Sequence, residues 1–355
     1  MSAESSKKSP LPLVITQGDP AGIGPEIIVK AFRDAPDVVR GCFVVGDVAT
    51  MRRAVQCVSG DDDLPLPIAQ IQSVDEALDA PPRCIPVFQL SDMPAKLVPF
   101  GQITREGGDA AAQCVIWAAR AALRGEVAAL VTAPLHKEAL SLAGVRFPGH
   151  TELLQAESAQ FRGVTNAEMP VRMMLANDAL RTVLVSIHVS LRDAIDAVTF
   201  ENVLQTLRIT HGALSRTLGR QPRIGVAGLN PHAGEGGLFG REELEIIAPA
   251  IAAAQNEGIF ATGPYAPDTV FMRARSSADK EGEFDVVVAM YHDQGLIPIK
   301  YLGVDSGVNV TLGLPLIRTS PDHGTAFDIA GRGIADAASL IESIQVAKRL
   351  ACWSH

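Results

Sequence analysis

Three of the chain's eight histidines stand at or just past the ends of aliphatic runs: His188 in LVSIHVSL, His232 in GLNPHAGEGG and His292 in VVVAMYHDQGLIPIK. A buried strand has no use for an imidazole, a carboxylate (Asp293) and an amide (Gln294) at its carboxyl end unless they serve one another or a ligand. Neutral imidazoles are the commonest metal ligands, and a site built from three leaves coordination positions open for substrate. Ligands drawn from separate strands need no fixed interval, so the spacing permits a metal site without specifying one. Asp293, directly after His292, is a candidate to orient that ring. His211 lies inside a helical pattern and His355 is terminal, and both read as non-functional.

A second group of residues suits an anion. Lys300, Arg318 and the pair His150 and Thr151 in FPGHTELL offer ammonium, guanidinium, imidazole and hydroxyl donors of the kind phosphate selects. His136 and His323 sit in polar segments and are further candidates for substrate contact. In GVNVTLGLPLIRTSPDHGTA, the residues Asn309, Arg318, Thr319, Ser320, Asp322 and His323 are expected to crowd around two turns. Asp268 in GPYAPDTVF is expected in a loop, either as a turn former or as a group that transfers a proton.

The glycines of TQGDPAGIGPEI invite a nucleotide-loop reading. The dinucleotide fingerprint needs a third glycine where Ile27 stands, and the Walker loop needs a Gly-Lys-Ser/Thr ending that is absent, so the stretch argues for a tight turn instead. Taken alone, these residues leave a metal-dependent dehydrogenase and a metal-dependent hydrolase equally open.

The elements that must position these groups alternate. LPLVIT, CFVVGD, VAALVTAP, VRMMLA, RTVLVSI, RIGVAGL and DVVVAMY read as strands. PEIIVKAFRD, with Pro25 in its first turn, VATMRRAVQC, DAAAQCVIWAARAALRGE, REELEIIAPAIAAAQNEG with Gly258 as its stop, and ADAASLIESIQVAKRLACW read as helices. Alternation of this kind predicts an α/β layered fold with a largely parallel sheet, whose ligands gather beyond the carboxyl ends of the strands.

Composition sets the outer limits. The 355 residues carry a formal net charge of −9 and scattered Lys and Arg, so no basic stripe speaks for nucleic acid or an anionic membrane. The 5 cysteines include no CxxC pair, which suggests reduced core thiols rather than a disulfide framework. No apolar run is long enough for a bilayer, and MSAESSKKSPLP lacks the apolar stretch of a signal peptide, so a cytoplasmic protein is expected.

GDPAGIGPEI, TAPLHKEA, FPGHTELL, GLNPHAGEGG, YHDQGLIPIK and GVNVTLGLPLIRTSPDHGTA, in this order, closely resemble the 4-hydroxythreonine-4-phosphate dehydrogenase family of pyridoxal phosphate biosynthesis. The resemblance implies a two-domain α/β/α fold similar to isocitrate and isopropylmalate dehydrogenases, with the active site in the interdomain cleft. Composition together with this fold analogy gives a flexible tail at about 1–12, a first domain at about 13–130 plus 308–355, and a second, with the dimer interface, at about 131–307. It implies a homodimer whose metal sites are shared between subunits, with His188, His232 and His292 as ligands. His150, Thr151, Lys300, Asn309 and Arg318 would bind substrate, and Asp268 and Lys300 would be catalytic, with Lys137 a second candidate for moving the proton. Asn230, Gly234, Asp322 and His323 would contact NAD, or NADP. The metal would be one divalent ion per site, such as Zn, Co, Ni, Fe, Mn or Mg. The implied reaction oxidises 4-phosphooxy-L-threonine to 2-amino-3-oxo-4-phosphooxybutanoate, which decarboxylates to 3-amino-2-oxopropyl phosphate. Relatives that act on phosphorylated sugar acids such as 4-phosphothreonate, or on aromatic cis-dihydrodiols, supply the alternative. In SIHVSLRD, Val189 and Ser190 stand where the family pattern has Leu-Pro, beside the histidine rather than on it.

Overall fold

The computed structural model describes residues 10–59, 64–277, 279–303 and 307–352; the expected tail up to residue 9 and His355 lie outside them. In chain order the elements are β1 (Leu13–Thr16), α1 (Gly24–Asp34), β2 (Cys42–Gly46), α2 (Val48–Val58), β3 (Ile68–Ile71), β4 (Ile85–Gln89), α3 (Arg105–Leu123), β5 (Ala129–Thr132), α4 (Lys137–Leu142), α5 (His150–Arg162), β6 (Arg172–Ala176), β7 (Arg181–Leu184), α6 (Leu191–Asp196), α7 (Phe200–Leu218), β8 (Ile224–Ala227), α8 (Ala248–Asn256), β9 (Ala261–Tyr265), α9 (Pro267–Ala274), β10 (Val286–Ala289), α10 (His292–Leu302), β11 (Val308–Leu312), β12 (Arg318–Pro321) and α11 (Ala338–Leu350). Among the described residues, no helix is long and apolar enough to cross a membrane.

The chain divides into two compact units, residues 1–163 with 315–355, and residues 164–314. Residues 131–163, expected in the second domain, belong by contact to the first unit because α4 and α5 pack on α3. Gly108 of α3 makes this possible: a Cβ there would stand 2.0 Å from the Ala139 carbonyl of α4. Residues 308–314, expected in the first domain, supply β11, which pairs with β6 of the second unit.

In the first unit the strands run β3-β4-β2-β1-β5-β12, each parallel to its neighbour. Leu13, Ile15, Val44, Val87 and Val131 face α1, α2 and α11 in one continuous apolar cluster. The opposite face packs on α3, where Trp117 meets Phe43 edge-on at 6.1 Å and tilts over Phe88 at 4.6 Å. Helices on both faces explain why β1, β2 and β5 are aliphatic without alternation.

In the second unit the order is β11-β6-β7-β10-β8-β9. The strands from β7 to β9 are parallel, whereas β6 runs antiparallel to both of its neighbours. The departure from an all-parallel sheet has a local cause. Asn177 Oδ1 accepts from Ala179 N and Leu180 N at 3.0 and 2.8 Å, an Asx turn that folds β6 straight back into β7. The long helix expected from REELEIIAPAIAAAQNEG is divided: Glu243–Ile247 winds as a π-helix before α8 begins. Pro249, which has no N–H to give, stands at that junction.

Candidate active site

His188 follows β7 and His292 opens α10, and their rings, tilted by 46° to one another, have centroids 5.6 Å apart. That is a separation at which two imidazoles can ligate one ion. Asp293 Oδ1 lies 2.8 Å from His292 Nδ1, so the carboxylate fixes one ring nitrogen and leaves the other to a ligand. The strand ends at Ala289, two residues short of the expected Tyr291, and the histidine therefore sits at a helix start. The neighbouring amide is structural. Gln294 is buried, accepts from Met290 N at 2.7 Å and donates to the Gly228 carbonyl at 2.8 Å, which joins the start of α10 to the loop after β8.

That loop carries His232. From His232 to Gly237 every φ is positive, including 52° at His232, 52° at Ala233 and 43° at Glu235. Left-handed backbone is unfavourable for residues with a Cβ, so something must hold it. Glu243, 2 % exposed, accepts from Leu229 N and Asn230 N at 2.7 Å each through Oε1, and from Asn230 Nδ2 at 3.0 Å through Oε2. Asn230 Nδ2 also donates to Glu242 Oε2 at 2.7 Å. Gly234 is buried in the same knot, where a Cβ would stand 2.7 Å from Glu243 Oε2. Asn230 and Gly234, expected at the cofactor, thus shape the loop. Its open part is Gly236, where an added Cβ would meet nothing within 4 Å. Among the described residues, His232 does not join His188 and His292 in a group of three metal-binding side chains.

Asp268 is not in a loop: it occupies the exposed first turn of α9, where a carboxylate favours the helix dipole. Lys300 lies half-buried in the last turn of α10, and Asn309 sits within β11. All three belong to the second unit, as do the three histidines.

The anion-binding candidates of the first unit converge. Arg318, expected near a turn, instead opens the buried strand β12 at 4 % exposure. Its Nε and Nη2 donate to Thr132 Oγ1 at 3.0 and 2.8 Å. Burial pushes this guanidinium down to about 10, against a raising influence from Glu152. His150 is the first residue of α5, whose N-cap, Gly149, brings no side chain to close the helix end. Burial first, and the Arg318 charge second, hold the His150 imidazole well below its usual range, while a hydrogen bond with the Ala133 backbone opposes them. Its Nε2 is buried without a partner among the described residues. A neutral ring, Thr151, an open helix N-terminus and a buried guanidinium together make a site for an anion.

The polar run after β12 is held by the glycine-rich stretch near the N-terminus. Ile23 N donates to the Thr325 carbonyl at 3.0 Å, and the buried Glu26 carboxylate accepts from Gly331 N and, at 2.9 Å, from Gly333 N. GDPAGIGPEI is therefore a clamp on the segment that contains Asp322 and His323. His323 is exposed beside Gly324, where an added Cβ would meet nothing within 4 Å. Asp19 is buried with Oδ1 on Ala21 N at 2.9 Å; burial raises its carboxyl, against the Ala21 bond and the nearby His136. His136 stacks on Phe327 at 4.8 Å. Glu243, Glu26 and Thr132 carried no signal in the sequence, since each is defined by partners farther along the chain.

Comparison with known proteins identifies the family. Residues 39–347 match the family described as pyridoxal phosphate biosynthetic protein PdxA. The chain is 51 % identical to a 4-hydroxythreonine-4-phosphate dehydrogenase of Beijerinckia indica over 96 % of its length and 95 % of the relative's. It is 46 % identical to a D-threonate 4-phosphate dehydrogenase of Salmonella typhimurium, covering 96 % and 98 %. A crystal structure of a 4-hydroxythreonine-4-phosphate dehydrogenase from Klebsiella pneumoniae superposes with a TM-score of 0.83 at 42 % identity, covering 96 % and 99 %.

Proposed function

Because the chain belongs to the PdxA family of pyridoxal phosphate biosynthetic proteins, whose relatives are dehydrogenases, we propose that it oxidises 4-phosphooxy-L-threonine with NAD(P) and a divalent metal, in the cytoplasm and as a homodimer. The product, 2-amino-3-oxo-4-phosphooxybutanoate, is a β-keto acid and loses carbon dioxide to give 3-amino-2-oxopropyl phosphate. The observation that carries the phosphorylated substrate is the buried Arg318 beside His150 at the open end of α5.

In this reading Arg318, His150 and Thr151 hold the phosphate, and Lys300 and Asn309 bind the rest of the substrate. His188 and His292 supply imidazole donors, with Asp293 orienting one of them, a set suited to zinc, cobalt, nickel or iron more than to magnesium. Bound there, a divalent ion would supply Lewis-acid polarisation of the substrate hydroxyl, and a nicotinamide cofactor would supply the hydride acceptor. Asp268, or Lys137, receives the hydroxyl proton. Asp322, His323 and the open tip of the His232 loop approach the cofactor. His232 reaches the metal of a second copy. In support, the exposed apolar residues Val189 and Leu191 follow His188 in sequence, and the ring of the exposed Phe239 lies 6.2 Å from that of His232. Clustered exposed apolar residues mark association surfaces.

The relative named for D-threonate 4-phosphate gives a second substrate for the same phosphate site. NADH formation is to be followed with 4-phosphooxy-L-threonine and with 4-phospho-D-threonate, before and after chelation, with metal add-back. Metal-dependent turnover that prefers the amino acid supports the proposal. Preference for the threonate reassigns the substrate, and turnover unaffected by rigorous chelation removes the metal.

A further inference from the structure

We infer that Glu243 is a positioning residue for metal binding: its buried carboxylate presets the left-handed loop that presents His232. The inference rests on the reading of His232 as a ligand, and it concerns what holds that ligand in place.

Consecutive positive φ values at His232, Ala233 and Glu235 do not persist by themselves. Within the loop, Ala233 N bonds to the Asn230 carbonyl at 3.1 Å and Phe239 N to the Gly234 carbonyl at 3.1 Å. These bonds close the turn without anchoring it. The anchor is Glu243, which collects the amides of Leu229 and Asn230 and the side chain of Asn230. Gly234 lies close enough to Oε2 that any side chain there would displace the carboxylate. His232, by contrast, is exposed. An exposed ligand on strained backbone binds tightly only if the backbone is ordered before the ion arrives, since otherwise binding must also order the loop. The π-helical turn that begins at Glu243 brings this carboxylate under the loop, and π-bulges concentrate at functional sites.

Glu243→Gln keeps the shape but turns an NH2 toward either Asn230 Nδ2 or the two backbone amides, donor against donor. Asn230→Ala removes the side-chain bonds to Glu243 and Glu242, leaves both backbone amides on Glu243, and is the milder second variant. Chelated full-length protein is to be titrated with Co(II), whose visible absorption reports ligation, with no substrate or cofactor present. Loss of partners that hold metal ligands lowers affinity by about 10- to 100-fold. The expected result is weakening in that range for Glu243→Gln and a smaller loss for Asn230→Ala. Turnover of Glu243→Gln should return to near the parent value at saturating metal, because Glu243 positions a ligand and does not touch the reaction. His232→Ala is the reference. If His232→Ala loses Co(II) affinity while Glu243→Gln and Asn230→Ala bind like the parent, the positioning role is wrong and the ligand assignment stands. If His232→Ala also binds like the parent, the assignment of His232 itself fails. Should Glu243→Gln not fold, Asn230→Ala decides: unchanged affinity overturns the inference.

Discussion

Replacing Arg318 by methionine separates what the guanidinium does for the fold from what it does for an anion. Burial lowers this group from 12.5 to about 10. At about 1.4 kcal/mol per pH unit, the fold holds the charge at a cost of about 3 kcal/mol. The bonds to Thr132 Oγ1, at 3.0 and 2.8 Å, offset part of this; each is worth about 1 kcal/mol. Methionine approximates the length of the stem, so without any anion Arg318→Met should unfold within about 1 kcal/mol of the parent. Anion binding should respond differently. A charge-assisted bond from guanidinium to phosphate contributes about 1.5–3 kcal/mol, so losing one lowers affinity for phosphorylated substrate by about 10- to 150-fold. The assay is urea unfolding with and without inorganic phosphate, alongside KM for the substrate. Phosphate should stabilise the parent and leave the variant unmoved. A variant several kcal/mol less stable in the absence of anion, yet still stabilised by phosphate, would refute the reasoning and make Arg318 a structural ion.

Three further outcomes follow from the same geometry. His150 has a lower pKa in the fold than in the unfolded chain, so between the two values the unfolded state binds the extra proton. Stability should therefore fall as the pH drops below about 6.5, by up to about 1.4 kcal/mol per unit, and His150→Gln should flatten that acid limb in urea titrations. Asp293→Asn withdraws the carboxylate from His292 Nδ1 and should weaken metal binding by about 10- to 100-fold in competition with a chromophoric chelator; unchanged affinity would argue against this ring as a ligand. Glu26→Gln leaves the Gly331 or the Gly333 amide without its acceptor and should cost about 1–3 kcal/mol, with faster hydrogen exchange at these glycines. A stability change under about 0.5 kcal/mol would mean that the segment after β12 is held by other contacts.

The aliphatic strands β1, β2, β5, β7, β8 and β10 were legible because both faces of each are covered and nothing interrupts the run. β12 was not, since RTSP has no apolar signal. It is buried because α11 satisfies its hydroxyls: Thr319 Oγ1 donates to the Ser343 carbonyl at 2.8 Å. A reading of local pattern places such residues in a turn. The antiparallel β6 was within reach, because LANDAL contains its Asx turn. In the site, residue types pointed to imidazoles and cations, and the structure pairs two of the three histidines and joins Arg318 to His150. The buried acceptors Glu26 and Glu243 were illegible in principle. In sequence they look like surface carboxylates of helices, and only the distant backbone amides they receive make them otherwise.

The amide of Gln294 ties two segments that are far apart in the chain, one opening with His292 and the other carrying His232. Neither can be redesigned alone. Free energies of substitutions in the two segments should not add, and the departure from additivity should vanish once Gln294 is replaced. For anyone grafting this site onto another scaffold, the transferable cassette is both segments with Gln294 between them, not the ligand loops by themselves.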